Sequence, residues 1–124
     1  LRGVCRRGEL VLYLQPIIEL DSGVVAGAEA LLRWQHPVYG LLAPQVFIPV
    51  AERLGLIAEI DRWVIQAACD ALQALDPEEL PQLAVNLSAD AFADPEMPAA
   101  LARQLARVGQ PAQRLGVEVT ESML

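Results

Sequence analysis

The sequence contains no lysine: its nine basic residues are all arginine, set against sixteen aspartates and glutamates for a formal charge of -7. A broad basic surface is therefore missing, which disfavours nonspecific DNA or RNA binding. A small anionic ligand stays open, because one Arg or a bound metal reverses the potential locally whatever the total charge. Cysteine is scarce as well. Cys5 and Cys69 form no close metal-ligand pair and lend no positive support to a disulfide, so they read as two reduced thiols of a cytosolic protein. The first residues lack the basic start, apolar centre and small-residue cleavage site of a signal peptide, and no apolar run reaches about 18 residues. Membrane insertion by this segment is not expected. The expected location is the cytoplasm, either free or as the cytoplasmic part of a larger tethered protein.

What is present is enough for one domain. Of 124 residues, 54% are hydrophobic, with Leu, Ala and Val dominating over aromatics, so the chain can bury a core and does not have the composition of a disordered segment. The length is about half of the roughly 250 residues of a closed eight-stranded α/β barrel.

Residues 1–9 read as a short surface helix or its end, with a turn at Gly8. An apolar strand is expected over 10–20, and Pro16 within it argues for an edge position or an interrupted ladder. Asp21-Ser22-Gly23 reverses the chain into a second strand over 24–34, close enough to make the pair an antiparallel hairpin. Residues 35–44, with His36-Pro37 and Gly40, are expected to be a loop, and 44–54 short helical pieces ending at Gly55. From Ile57 to Leu75 the residues Ile57, Ile60, Val64, Ala67, Ala68, Ala71, Leu72 and Leu75 form one apolar stripe of an amphipathic helix. A short strand follows over 83–88, then a helix capped by Ser88 or Asp90 and stopped by Gly109, then a strand over 115–121. After the hairpin this alternation is that of parallel α/β units.

Each strand of that series places a polar residue where another apolar one would suit a core: Glu29, Asn86 and Glu118. Parallel strands carry their carboxyl ends to one face, where active sites of such sheets gather. Two carboxylates and an amide oxygen suit a hard divalent cation such as Mg²⁺ or Mn²⁺, which would also offset the cost of acids flanked by apolar residues. Period-2 geometry puts Arg33 on the same side as Glu29. Taken one at a time, these residues also fit hydrogen-bonded or Arg-paired positions in an inert scaffold or a partner-binding module. His36 reads as a loop residue, and Trp34, Trp63 and Phe47 as packing residues.

The segments Tyr13-Leu14-Gln15-Pro16-Ile17, Glu29-Ala30-Leu31-Leu32-Arg33-Trp34, Phe47-Ile48-Pro49, Val85-Asn86-Leu87-Ser88 and Glu118-Val119-Thr120-Glu121, in that order, resemble the N-terminal half of a bacterial EAL domain, the cyclic-di-GMP phosphodiesterase family. The resemblance implies a modified (β/α)8 TIM-type barrel with an antiparallel first strand. Residues 1–124 would be its N-terminal portion, truncated after the fourth strand. It implies that Glu29, Asn86 and Glu118 ligate Mg²⁺ or Mn²⁺, that Gln15 and Arg33 bind substrate with Arg33 on a phosphate oxygen, and that Glu121 supports an active-site loop. The implied reaction is hydrolysis of cyclic-di-GMP to linear pGpG by metal-activated water.

The family's catalytic Lys and its later acidic ligands have no counterparts here, so the isolated chain is expected to be inactive within an active parent. The alternative is a catalytically inactive receptor for cyclic-di-GMP or a dimerisation module. The expected partners are cyclic-di-GMP, a second copy or the missing C-terminal half of the barrel, and further signalling domains in the parent.

Overall fold

Along residues 28–34 and 83–88 buried and half-buried side chains alternate, and this period-2 pattern shows which face of each strand is covered. A computed structural model describes residues 1–120. Strand β1 (Leu10–Ile18) pairs antiparallel with β2 (Val25–His36) through the turn at Gly23, whose φ of 72° is one that glycine adopts without strain. Then come β3 (Gly40–Leu42), α1 (Pro44–Leu54), α2 (Ile57–Ala74), β4 (Leu83–Ser88), α3 (Ala89–Ala93), α4 (Met97–Val108) and β5 (Leu115–Thr120).

The strands form one mixed, unclosed sheet in the order β1-β2-β4-β5, with β3 paired to β2. The α/β fold with an antiparallel first strand is as expected, and β1 lies at an edge, where the missing N–H of Pro16 is tolerated. The β2–β4 pairing is parallel but short, Ala28↔Leu83 and Glu29↔Ala84, whereas β4 and β5 stay in parallel register from Leu83↔Leu115 to Ser88↔Thr120.

Two expectations are corrected. Residues 35–44 are not a plain loop: β2 runs on to His36, and β3 folds back on it in the register Trp34↔Leu42, Gln35↔Leu41, His36↔Gly40. The turn is held by Nδ1 of His36, which accepts from the backbone N–H groups of Val38 and Tyr39 at 3.0 and 3.1 Å. Residues 44–54 are one helix rather than pieces. Pro44 starts it, Gly55 ends it in the left-handed conformation, and Pro49 is carried inside the helix.

The helices supply one wall of the core. Ala28, Ala30, Leu32 and Trp34 of β2 and Leu83, Val85 and Leu87 of β4 belong to the same buried cluster as Phe47, Ile60, Val64, Ala68, Leu72 and Leu105. Fully burying a residue such as Leu72 or Ile60 contributes about 1.5–3 kcal/mol, so this face anchors the sheet. The intervening strand residues lie on the opposite face. There Tyr13, Gln15 and Ile17 are exposed, while Glu29, Leu31, Arg33, Ala84 and Asn86 are half-buried. No described element packs a hydrophobic layer over them.

Candidate functional site

The strand registers assemble the polar residues of that second face. Gln15 of β1 stands opposite Glu29 of β2, Glu29 pairs with Ala84 of β4, and Asn86, two residues further along β4, pairs with Glu118 of β5. Alternation keeps all four on the face away from the helices. Neighbouring strands are about 4.8 Å apart, which puts the Asn86 amide and the Glu118 carboxylate within reach of a shared ligand. Arg33 has the same parity as Glu29, and with Asn86 it lines a narrow crevice of about 10 Å³ where β2 and β4 part. Its Nη1 donates to the carbonyl of Leu32 at 2.7 Å.

The reading of these residues as strand ends needs one correction. Glu29 is interior to β2, which continues to His36 because β1 and β3 go on pairing with it. What ends at Glu29 is the parallel ladder with β4. Asn86 and Glu118 likewise lie two residues inside the ends of β4 and β5. Glu121 falls outside the described residues.

The donor chemistry of the set fits part of a divalent-metal site. Two carboxylates and an amide oxygen are hard ligands, and neither Glu29 nor Glu118 takes part in the two ion pairs among the described residues, Arg7–Glu9 and Arg107–Asp70. The set is short, however. Among the described residues no group of three or more His, Cys, Asp or Glu side chains is arranged to hold a metal ion. Mg²⁺ takes six oxygen ligands, so other donors, waters included, have to complete the shell.

His36 stays out of this row. It is at the β2–β3 turn, with its ring 4.8 Å from those of Trp34 and Tyr39. Trp34 and Phe47 are buried in edge-to-face contact at 5.7 Å, and Trp63 packs against the core, which matches their reading as packing residues. Cys5 and Cys69 are free thiols. Burial and the neighbouring Glu59 carboxylate push Cys5 up to about 11, so it stays protonated at neutral pH.

Two charged residues escape sequence reasoning. Asp61 of α2 is only 2% exposed, and its carboxylate accepts from the backbone N–H of Ser88 at 3.2 Å and from the Ser88 hydroxyl at 2.6 Å. Burial raises its pKa, and the Ser88 hydrogen bonds oppose the rise. Arg114, 4% exposed, donates to the carbonyls of Leu72, Leu75 and Leu80 and to Oε1 of Gln110. The available signals were an acid inside the apolar stripe of α2 and a cation directly before an apolar strand.

Among the described residues no helix is long and apolar enough to cross a membrane. The larger cavities lie in the helix layer, one of about 370 Å³ lined by Cys5, Glu59, Trp63 and Arg103, away from the polar face of the sheet.

The family model of the EAL domain matches residues 1–124. The chain is 41% identical over 124 residues to the bifunctional diguanylate cyclase/cyclic di-GMP phosphodiesterase MucR of Pseudomonas aeruginosa, covering 98% of this chain and 18% of that protein. It is 38% identical over 126 residues to the oxygen sensor protein DosP of Escherichia coli, covering 100% of this chain and 16% of that protein. The solved PaMucR phosphodiesterase in its c-di-GMP complex superposes with a TM-score of 0.86 at 38% identity, over 98% of this chain and 50% of the solved one. The chain thus spans less than a fifth of these two relatives and half of the solved chain. With the family model matched from the first residue to the last and the fold shared with a solved phosphodiesterase, this chain belongs to the EAL domain family.

Proposed function

We propose that the uncovered face of the sheet is part of the site of a cyclic-di-GMP phosphodiesterase that hydrolyses its substrate to linear pGpG. The observation that carries this reading is the register that puts Gln15, Glu29, Asn86 and Glu118 on one helix-free face of the sheet. Likeness to a solved phosphodiesterase in complex with c-di-GMP supports the choice of substrate. In this reading residues 1–124 are the N-terminal portion of one domain. A C-terminal half supplies the remaining acids and the lysine that this sequence lacks.

The roles follow from the chemistry of each side chain. Glu29, Asn86 and Glu118 would hold Mg²⁺ or Mn²⁺ through oxygen, and Glu29 is the one of the three also assigned to catalysis. A cation bound there supplies Lewis acidity that lowers the pKa of a water molecule and neutralises charge on the phosphoryl oxygens. Arg33 offers a planar guanidinium that can grip a phosphate oxygen through paired, charge-assisted hydrogen bonds. Gln15, at the edge strand beside Glu29, contacts the nucleotide. Glu121 supports the loop that follows β5.

The test is metal-dependent release of pGpG from cyclic-di-GMP by the full-length protein, followed chromatographically with Mn²⁺ and with EDTA. Hydrolysis is expected with Mn²⁺ alone. Glu29→Gln should lower kcat by more than the roughly 10–100-fold typical of residues that only support a ligand. The isolated segment 1–124 should release no pGpG. EDTA-resistant hydrolysis, or a fully active Glu29→Gln protein, would refute the assignment. The second reading is a receptor or dimerisation module without turnover. It predicts nucleotide binding, or self-association, with no pGpG.

A further inference from the structure

We infer that Asp61 is a positioning residue, which fixes the end of β4 from α2 and through it the placement of Asn86. The inference rests on the reading of Asn86 as a metal ligand given above. Asp61 is within the apolar stripe of α2, in line with Ile57, Val64 and Ala68, where an apolar residue would pack at no electrostatic cost. Its carboxylate is instead buried and takes no part in the ion pairs among the described residues. A buried, unpaired carboxylate is expensive.

What Asp61 gains for that cost is a fixed backbone. It accepts both the N–H and the hydroxyl of Ser88, and the Ser88 oxygen in turn accepts the N–H of Ala91, capping α3. One carboxylate therefore joins three elements, the second turn of α2, the last residue of β4 and the first turn of α3. The two carboxylate oxygens hold Ser88 by its backbone N–H and by its hydroxyl, so this corner is fixed at two points that a plain serine cap would leave free. Asn86 is two residues earlier on the same strand. Its side chain has two rotatable torsions, so a displacement of β4 passes almost directly to the amide oxygen, whereas Glu29 and Glu118 each have a third torsion to absorb one.

The experiment compares wild type, Asp61→Asn, Ser88→Ala and the double variant in the full-length protein. Mn²⁺ affinity is read by electron paramagnetic resonance of the free ion, without nucleotide, and hydrogen exchange is read at the Ser88 and Ala91 amides. Asn at position 61 accepts from the Ser88 N–H but leaves the Ser88 hydroxyl without its acceptor. Asp61→Asn should weaken Mn²⁺ binding about 10–100-fold and speed exchange at Ser88. Ser88→Ala should give a shift of similar size, and the double variant should add little, since both changes break one network.

A folded Asp61→Asn protein with wild-type Mn²⁺ affinity overturns the positioning role while leaving the metal site standing. If Asp61→Asn does not fold, Ser88→Ala decides, and wild-type affinity there overturns the role in the same way. A folded wild type that binds no Mn²⁺ removes the metal reading itself and this inference with it.

Discussion

Replacing Gly27 by Ala tests the seam on which the candidate site depends. A Cβ built on Gly27 would lie 2.5 Å from the carbonyl oxygen of Gln82, and ordinary contact begins at 3.4 Å, so the two backbones must separate by about 0.9 Å. That carbonyl also accepts the N–H of Ala28 at 2.9 Å, which leads into the two-residue parallel ladder between β2 and β4. Forced separation of packed backbone costs about 1–3 kcal/mol, and loss of the hydrogen bond adds about 0.5–1.5 kcal/mol. Against this, φ at Gly27 is outside the left-handed region, so Ala recovers about 0.4–1 kcal/mol by restricting the unfolded chain. The net expectation is a loss of roughly 0.5–4 kcal/mol centred near 2, or about 1 M in the urea midpoint for an m-value near 2 kcal/mol/M. Urea unfolding followed by circular dichroism measures the loss, and hydrogen exchange at the Ala28 amide localises it. An unchanged midpoint together with unchanged Ala28 protection would show that the seam does not need the missing side chain.

Two further outcomes concern the buried charges. Arg114→Ala strands the carbonyls of Leu72, Leu75 and Leu80, each of which costs about 1–3 kcal/mol if it stays dry, partly offset because the buried cation is gone. A net loss of about 2–4 kcal/mol is expected in urea unfolding. A loss below about 0.5 kcal/mol, the range of neutral surface changes, would contradict the clamp. For Asp61, burial raises the folded-state pKa, so the stability it contributes is present below the unfolded pKa and is lost as pH rises through the folded one. Asp61→Asn lacks this term. The stability of wild type relative to the variant should therefore decline as pH rises from the unfolded value of about 4 through the raised folded-state one, and a gap independent of pH would refute the assignment.

The polar row was legible because alternation is a local property. Gln15, Glu29, Arg33, Asn86 and Glu118 stand out in apolar strands wherever those strands begin or stop, and the parallel α/β order follows from the spacing of helices and strands. Boundaries were harder to read. β3 has three residues and depends on pairing with β2 and on a turn held by the His36 ring, neither of which has a signature in composition. Pro49 reads as a breaker, yet tertiary packing of Phe47, Ile48 and Ala51 keeps α1 continuous through it. Gly27 gives no sign of its role, because the backbone that crowds it is more than fifty residues away in sequence.

Asp61 and Arg114 were hidden for a different reason: a charge in a helix or at a strand start reads as solvent-facing unless its partners are known. Among their partners are groups at the two ends of one strand. Arg114 takes the carbonyl of Leu80 just before β4 begins, and Asp61 takes the N–H and hydroxyl of Ser88 where β4 stops. The Gln82 carbonyl, between Leu80 and the strand, is the group that Gly27 lets β2 approach. β4 is thus fixed at its entry, at its seam with β2 and at its exit. It is also the strand carrying the one candidate ligand that has an amide in place of a carboxylate. An amide oxygen bears no net charge and pulls a cation more weakly, so its contribution depends on being held in place beforehand. Fixing the strand from the helix layer leaves the opposite face free for ligand, which explains why both buried charges lie behind the sheet and the candidate ligands in front of it.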